Sequence, residues 1–230
     1  TLQTSNITLS ADAMIGGTGN FALLAPGHAA TTLDLAAHTL TKAGTNTFTI
    51  SNATFTAGNI HIAQGTFSQC TRAHNASMVA FTLDDAAGAT LALGGFDLSV
   101  GSLAGGGATG GNVNLDANTL TVGGLNTSTT YAGAISGTGG NLAKTGSGTL
   151  VLGGANTYSG TTTISDGTLQ VDGTHTGGGL YSVNGGGTLA GTGIIDATVS
   201  IDAGGVHSPG SSVGAQTVSN EVWNSGGAFQ

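Results

Sequence analysis

The sequence predicts an all-β solenoid, and three observations carry that prediction. Glycine occupies 43 of 230 positions, and each glycine in a helix interior would cost about 1 kcal/mol relative to alanine. Short stretches such as "TLVLGG" (149–154) and "TLQVDG" (168–173) alternate with period 2, sending Leu150 and Leu152, then Leu169 and Val171, to one face and Val151 and Gln170 to the other. Similar units also recur, with the G-T-L cluster ending at Leu150, Leu169 and Leu189, at intervals of 19 and 20 residues. One such strand cannot bury its apolar face alone. Stacking the next coil on it, at about 4.8 Å per layer, makes a continuous aliphatic column and pairs the backbone groups between layers. At roughly 20 residues per coil the chain is expected to form about 11 coils, a stack about 50 Å long, as a single unit over residues 1–230. A β-sandwich, with strands every 8 to 12 residues, is the competing all-β fold.

The units can be taken in chain order. "LDLAAHTLTKAG" (33–44), "LALGGFDLSVGS" (91–102) and "VNLDANTLTVGG" (113–124) align without gaps, each with an aliphatic seven residues before a leucine: Leu33 and Leu40, Leu91 and Leu98, Val113 and Leu120. A second unit, I-x-x-G-x followed by an aliphatic or aromatic residue, runs from Ile62 to Phe67, Ile164 to Leu169 and Ile201 to Val206. Glycine and Asn-Gly or Asp-Gly-like corners supply the positive φ values where the chain turns. Between Gln69 and Ala80 the pattern breaks, and "QCTRAHNASMVA" is expected to protrude as an irregular loop or short helix.

The stretch "NLAKTGSGTLVLGGANTYSGTTTISDGTLQV" (141–171) closely resembles the autotransporter-associated β-strand repeat of passenger domains in bacterial type V secreted proteins. The tail "GGTLAGTGIIDATVSIDAGGVHSPGSSVGAQTV" (186–218) resembles the companion segment of the same family, so residues 186–230 are expected to be passenger-like coils. His207, Val213 and Gln216 depart from the family pattern, standing where an aliphatic, a proline and a leucine are usual. The resemblance implies a right-handed parallel β-helix, export across the inner membrane, and presentation on the outer surface by a C-terminal barrel that this sequence does not contain. It also implies an extracellular structural or adhesive role. The absence of a starting Met and the repeat-like ending "NSGGAF" suggest a piece of something longer.

Charge and composition narrow the function. Charged residues are 6% of the chain, against roughly 25% in ordinary soluble domains. The net charge of −8 rests on eleven acids against Lys42, Arg72 and Lys144, and three scattered cations make no stripe for nucleic-acid phosphates or an anionic membrane. A single Cys70 excludes an internal disulfide, and no run approaches the roughly 18 apolar residues of a membrane span.

Chemical motifs are few. Gly105, Gly107 and Gly110 satisfy G-x-G-x-x-G without the helix and βαβ unit that nucleotide binding needs. "GSSVG" around Ser212 lacks a later histidine for a hydrolase triad. Asp84-Asp85 is the only adjacent acid pair, and strand neighbours point to opposite faces, so it is read as a solvated turn. No calcium-binding G-G-x-G-x-D nonapeptide occurs. The best candidate contact residues are Cys70, Arg72 and His74. In a helix, Cys70 and His74 would share a face and could hold a soft metal with help from His28, His38 or His61; a buried Cys70 is the plainer reading. Thr45, Thr47 and Thr49, with Thr161 and Thr163, are candidates for a flat hydroxyl face that meets a protein, a glycan or ice, although threonine also simply suits strands. No cofactor or catalytic residue is assigned. The leading function is therefore a non-catalytic extracellular structural or adhesive segment with self-associating copies or a glycan or surface receptor as partner. The alternative is a secreted carbohydrate-active β-helix, a polysaccharide lyase or hydrolase.

Overall fold

The computed structural model describes residues 6–23, 31–51, 53–70, 74–210 and 215–230. Among them every regular element is a strand. The first layer holds β1 (Asn6–Thr8), β2 (Ala13–Ile15) and β3 (Phe21–Leu23); the second, β4 (Thr31–Asp34), β5 (Thr39–Lys42) and β6 (Thr47–Ser51); the third, β7 (Ala53–Phe55), β8 (Gly58–Ile62) and β9 (Thr66–Cys70). Two layers then use one long strand across a corner: β10 (His74–Leu83) with β11 (Thr90–Ala92), and β12 (Leu98–Gly105) with β13 (Asn112–Asn114). Three short strands per layer return with β14 (Thr119–Val122), β15 (Thr129–Tyr131) and β16 (Ile135–Ser136), β17 (Asn141–Lys144), β18 (Thr149–Leu152) and β19 (Ala155–Asn156), and β20 (Thr162–Ile164), β21 (Gly167–Val171) and β22 (Thr174–His175). β23 (Tyr181–Val183), β24 (Gly187–Gly191), β25 (Ile194–Ile201), β26 (Val206–Pro209), β27 (Thr217–Trp223) and β28 (Ala228–Phe229) complete the stack.

Every ladder is parallel, and each strand pairs with the equivalent strand one turn away. On one face a single inward column runs Ala13, Leu40, Ile60 and Phe81, and later Leu150, Leu169, Leu189, His207 and Phe229. Leu150, Leu169 and Leu189 are therefore neighbours in successive turns, and all are fully buried. The solenoid proper has about nine turns, slightly fewer than the about 11 expected. A uniform 20-residue coil overcounts because, among the described residues, the first and last layers are paired on one side only, and because turn length varies: Ala13 and Leu40 are register partners, as are Leu189 and His207, at very different separations.

The aligned units turn out to mark corners. Ala36, Gly94 and Asp116, at equivalent places in the three segments, have φ of 47°, 63° and 52°, the left-handed conformation that swings the chain from one face to the next. The corner they mark differs: Leu33 and Leu40 join the β4 and β5 faces, whereas Leu91 and Leu98 join the β11 and β12 faces. The expected protrusion at 69–80 is corrected over its described residues. Gln69 and Cys70 end β9, and His74–Leu83 is a strand paired with both β8 and β12.

Candidate functional site

The candidate contact residues are not brought together. Arg72 and His28 lie outside the described residues, as do Ser212 and Val213, and the structure places Cys70 only by its backbone, at the end of β9. His74 is a buried strand residue rather than a helical one. Its Nδ1 meets Gln69 Oε1 at 2.7 Å, and its Nε2 accepts the amide of Ala53 at 3.1 Å. The Gln69 amide donates in turn to the carbonyls of Phe96 (2.6 Å) and Asp97 (3.1 Å). The pattern breaks at 69–74 because a hydrogen-bonded Gln–His pair replaces aliphatics inside the stack, which satisfies both side chains. Both ring nitrogens of His74 are thereby engaged, and no group of three metal-binding side chains occurs among the described residues. His38 and His61 instead face carboxylates, Asp12 at 3.6 Å and Asp84 at 2.8 Å.

The threonines fall on two different faces. Thr45 is exposed before β6; Thr47 and Thr49 project outward from β6, opposite Thr66 and Ser68. Thr163 stands between Ala143 and Ser182 on the β17–β20–β23 face, and the amide of Thr161 donates to Asn141 Oδ1 at 2.8 Å. Longer hydroxyl ladders run through Thr47, Thr66 and Thr90, and through Thr149, Thr168 and Thr188. The second was present in the sequence all along, as the threonine of each G-T-L cluster.

The sequence reading missed the role of the lysines, which it counts as scattered cations. Both are buried. Lys42 Nζ donates to the carbonyls of Ala43 (3.0 Å), Gly44 (2.8 Å) and Gln64 (2.9 Å). Lys144 Nζ makes the equivalent set with Thr145 (2.7 Å), Gly146 (2.6 Å) and Asp166 (3.2 Å). Each ammonium thus ties its own corner to the corner of the next turn. Burial pushes both lysine pKa values down, and the Asp166 charge partly opposes this at Lys144. The shared pattern is L-x-K-x-G, at 40–44 and 142–146.

The acids also brace corners. Asp12, Asp97 and Asp172 accept the backbone amides of Thr39 (2.8 Å), Thr119 (2.7 Å) and Thr192 (3.2 Å), each one turn further along. Asp84 and Asp85 part company: Asp84 faces His61, while Asp85 Oδ1 accepts the amides of Thr109 (2.7 Å) and Gly110 (2.9 Å). That fills the glycine-rich loop at 105–110 with the chain's own carboxylate, where a phosphate would otherwise have to sit. At the far end the family departures form a network. His207 Nε2 meets Gln216 Oε1 at 2.9 Å and its Nδ1 bonds Glu221, while the Gln216 amide donates to the carbonyls of Ala190 (3.0 Å) and Val171 (3.2 Å).

What these groups do chemically is hold backbone to backbone across turns. Residues 40–68 and 142–171 match the family model of the passenger-associated-transport-repeat, and each match opens on the leucine of an L-x-K-x-G corner. Over 159 residues, 65% of the chain, the sequence is 43% identical to the adhesin BmaC autotransporter of Brucella suis biovar 1 (strain 1330), and the aligned part spans 4% of that adhesin's length. No solved structure matches the chain.

Proposed function

We propose that this chain, which carries the autotransporter-type passenger β-repeat, is a non-catalytic, surface-exposed or secreted segment of a bacterial adhesin. The observation that carries the reading is the use to which its polar groups are put. The lysines, the buried His74 and His175 and several of the acids bond the solenoid's own backbone, which leaves flat faces of Thr, Ser, Asn and Ala. Uncharged hydroxyl ladders suit contact with a glycan or a protein receptor, with Thr47, Thr49, Thr161 and Thr163 among the residues that would meet it. The resemblance to an adhesin supports the same role. We also propose that copies associate with one another in a fibre or surface layer, since so few charges oppose their approach.

Beads coated with the purified chain should adhere to host cells or extracellular matrix above beads coated with an unrelated β-solenoid; equal adhesion would refute the adhesin role. The same preparation should release no products from plant, algal or bacterial polysaccharides. Cleavage abolished by Asp84→Asn or Asp85→Asn would establish the enzyme reading instead.

A further inference from the structure

One corner is built three times over. The chain leaves β23, β25 and β27 through turns at 184–187, 202–205 and 224–227, which stack because Val183, Ile201 and Trp223 are successive register partners. In each turn the fourth amide donates to the first carbonyl: Gly187 to Asn184 (2.9 Å), Gly205 to Asp202 (2.9 Å) and Gly227 to Asn224 (3.1 Å). The third residue is always a glycine of positive φ, 99° at Gly186, 79° at Gly204 and 93° at Gly226, as such a turn requires. The first side chains differ. Asn224 Nδ2 is held by Ser200 Oγ (3.1 Å) and Asp202 Oδ1 (2.6 Å). Asn184 has one side-chain bond, in which the Ser182 hydroxyl donates to its Oδ1 at 3.0 Å, and its Nδ2 has no partner among the described residues. Gly185 follows it in the one Asn-Gly step of the sequence, and Gly185 and Gly186 are both exposed. A Cβ at 185 would stand 2.7 Å from the Ala203 carbonyl oxygen, so the packing of the turns keeps this position bare.

We propose that Asn184 is a site of spontaneous covalent modification, where the Gly185 nitrogen closes a succinimide ring on the side-chain amide and residue 184 becomes aspartate or isoaspartate. The Gly185 nitrogen bonds Asn184 Cγ and the Cγ–Nδ2 bond breaks. The Gly185 amide proton passes through solvent to the departing nitrogen, which leaves as ammonia. Water then opens the ring at either carbonyl, and no enzyme or oxidant takes part. Three features favour this corner over the one at Asn224. The attacking nitrogen belongs to a residue without a Cβ, whereas Ser225 carries one. The leaving Nδ2 has no bond to give up, whereas that of Asn224 has two. The Ser182 hydroxyl already donates to Oδ1, the atom on which negative charge develops as the nitrogen adds, and a donor so placed stabilises that intermediate. The products matter to the stack. A carboxylate at 184 lies one turn from Asp202, and like charges opposed across a ladder are destabilising. Isoaspartate reroutes the main chain through Cβ and Cγ, which displaces the carbonyl that Gly187 bonds. The corner therefore loosens as the chain ages.

The test is peptide-resolved mass spectrometry of the folded chain, held at body temperature and mildly alkaline pH and sampled over weeks, with isoaspartate scored by an isoaspartyl methyltransferase. Conversion of amide to acid is expected at Asn184 before any change at Asn224, and faster as pH rises. Ser182→Ala should slow it about fivefold, the factor that one neutral hydrogen bond is worth, and Ser182→Thr should restore the parent rate. In guanidinium chloride, which removes the corner, the parent and Ser182→Ala should convert equally fast. Hydrogen exchange over residues 181–205 should be faster in the aged chain than in the fresh one. If Ser182→Ala does not fold by circular dichroism, Ser182→Cys, a weaker donor, replaces it with the same expectation. An Asn184 that stays an amide while a short peptide of the same sequence converts overturns the proposal, and so does an Asn224 that converts first. A folded Ser182→Ala chain that converts as fast as the parent, or faster, overturns the part given to the hydroxyl.

Discussion

Replacing Lys144 with Met retains an unbranched stem inside the stack and removes three donors, those to the carbonyls of Thr145, Gly146 and Asp166. At about 1.5 kcal/mol for each bond to a charged donor, the gross loss is about 4 to 5 kcal/mol. Two effects reduce it. The corner carbonyls are partly open, so water replaces some of the lost bonding, and the variant no longer desolvates an ammonium, the penalty that pushes the Lys144 pKa down. Together they leave a net destabilisation of about 2 kcal/mol. In urea, with a slope of about 2 kcal/mol per molar, the unfolding midpoint followed by far-ultraviolet circular dichroism should fall by about 1 M. Lys42→Met removes the matching three donors and should behave alike. Because the two corners are several turns apart, the double variant should show the sum of the two losses. A midpoint that stays put or rises in Lys144→Met would mean that the ammonium is a tolerated buried charge and braces nothing.

Three further outcomes are expected. Leu169→Asp sets an unpaired carboxylate between Leu150 and Leu189 and should cost at least about 3 kcal/mol in the same urea titration; wild-type stability would show the column register to be wrong. Gly191→Ala places a methyl group 2.1 Å from the Val171 carbonyl at a φ of +116°, so a loss of at least about 2 kcal/mol is expected, and a neutral result would contradict the close approach of the two turns. Burial lowers the pKa of His175 below its ordinary 6.5. Below that value the unfolded chain binds the proton more readily than the folded one, so this contribution to stability holds at neutral pH and is lost on acidification. His175→Phe should make the stability-versus-pH curve shallower below pH 6.5, and an unchanged slope would place the acid sensitivity elsewhere.

The parts of this fold legible in the sequence are those where one kind of residue repeats. Leu150, Leu169 and Leu189 announce their column because period 2 and a 19- or 20-residue return coincide at aliphatic positions. The corners are legible too, since Ala36, Gly94 and Asp116 align once the flanking leucines do. What alternation cannot show is an inward polar residue, because it looks like an interruption. Gln69 and His74 therefore suggested a protrusion where the ladder continues, and Lys42 and Lys144 passed for surface charge. His207 and Gln216 were visible as departures from a pattern, but their bond to one another joins β26 to the residue just before β27 and becomes evident only in three dimensions. The threonine candidates illustrate the same point: spacing along the chain does not say which of three faces a residue joins, and Thr47 and Thr163 stand on different ones.

The sequestration of both lysines bears on how the chain would survive outside a cell. Proteases of the trypsin type must draw a basic side chain into their specificity pocket, with several residues of extended backbone on either side. Lys42 and Lys144 are 0% and 2% exposed, with their ammonium groups turned inward, and cleavage beside either requires the turn to unwind first. Of the three basic residues in the sequence, only Arg72 falls outside these two protected corners. Tryptic cleavage after Lys42 or Lys144 should therefore report the opening of the solenoid itself, while amine-reactive dyes should label these two lysines only weakly in the folded chain.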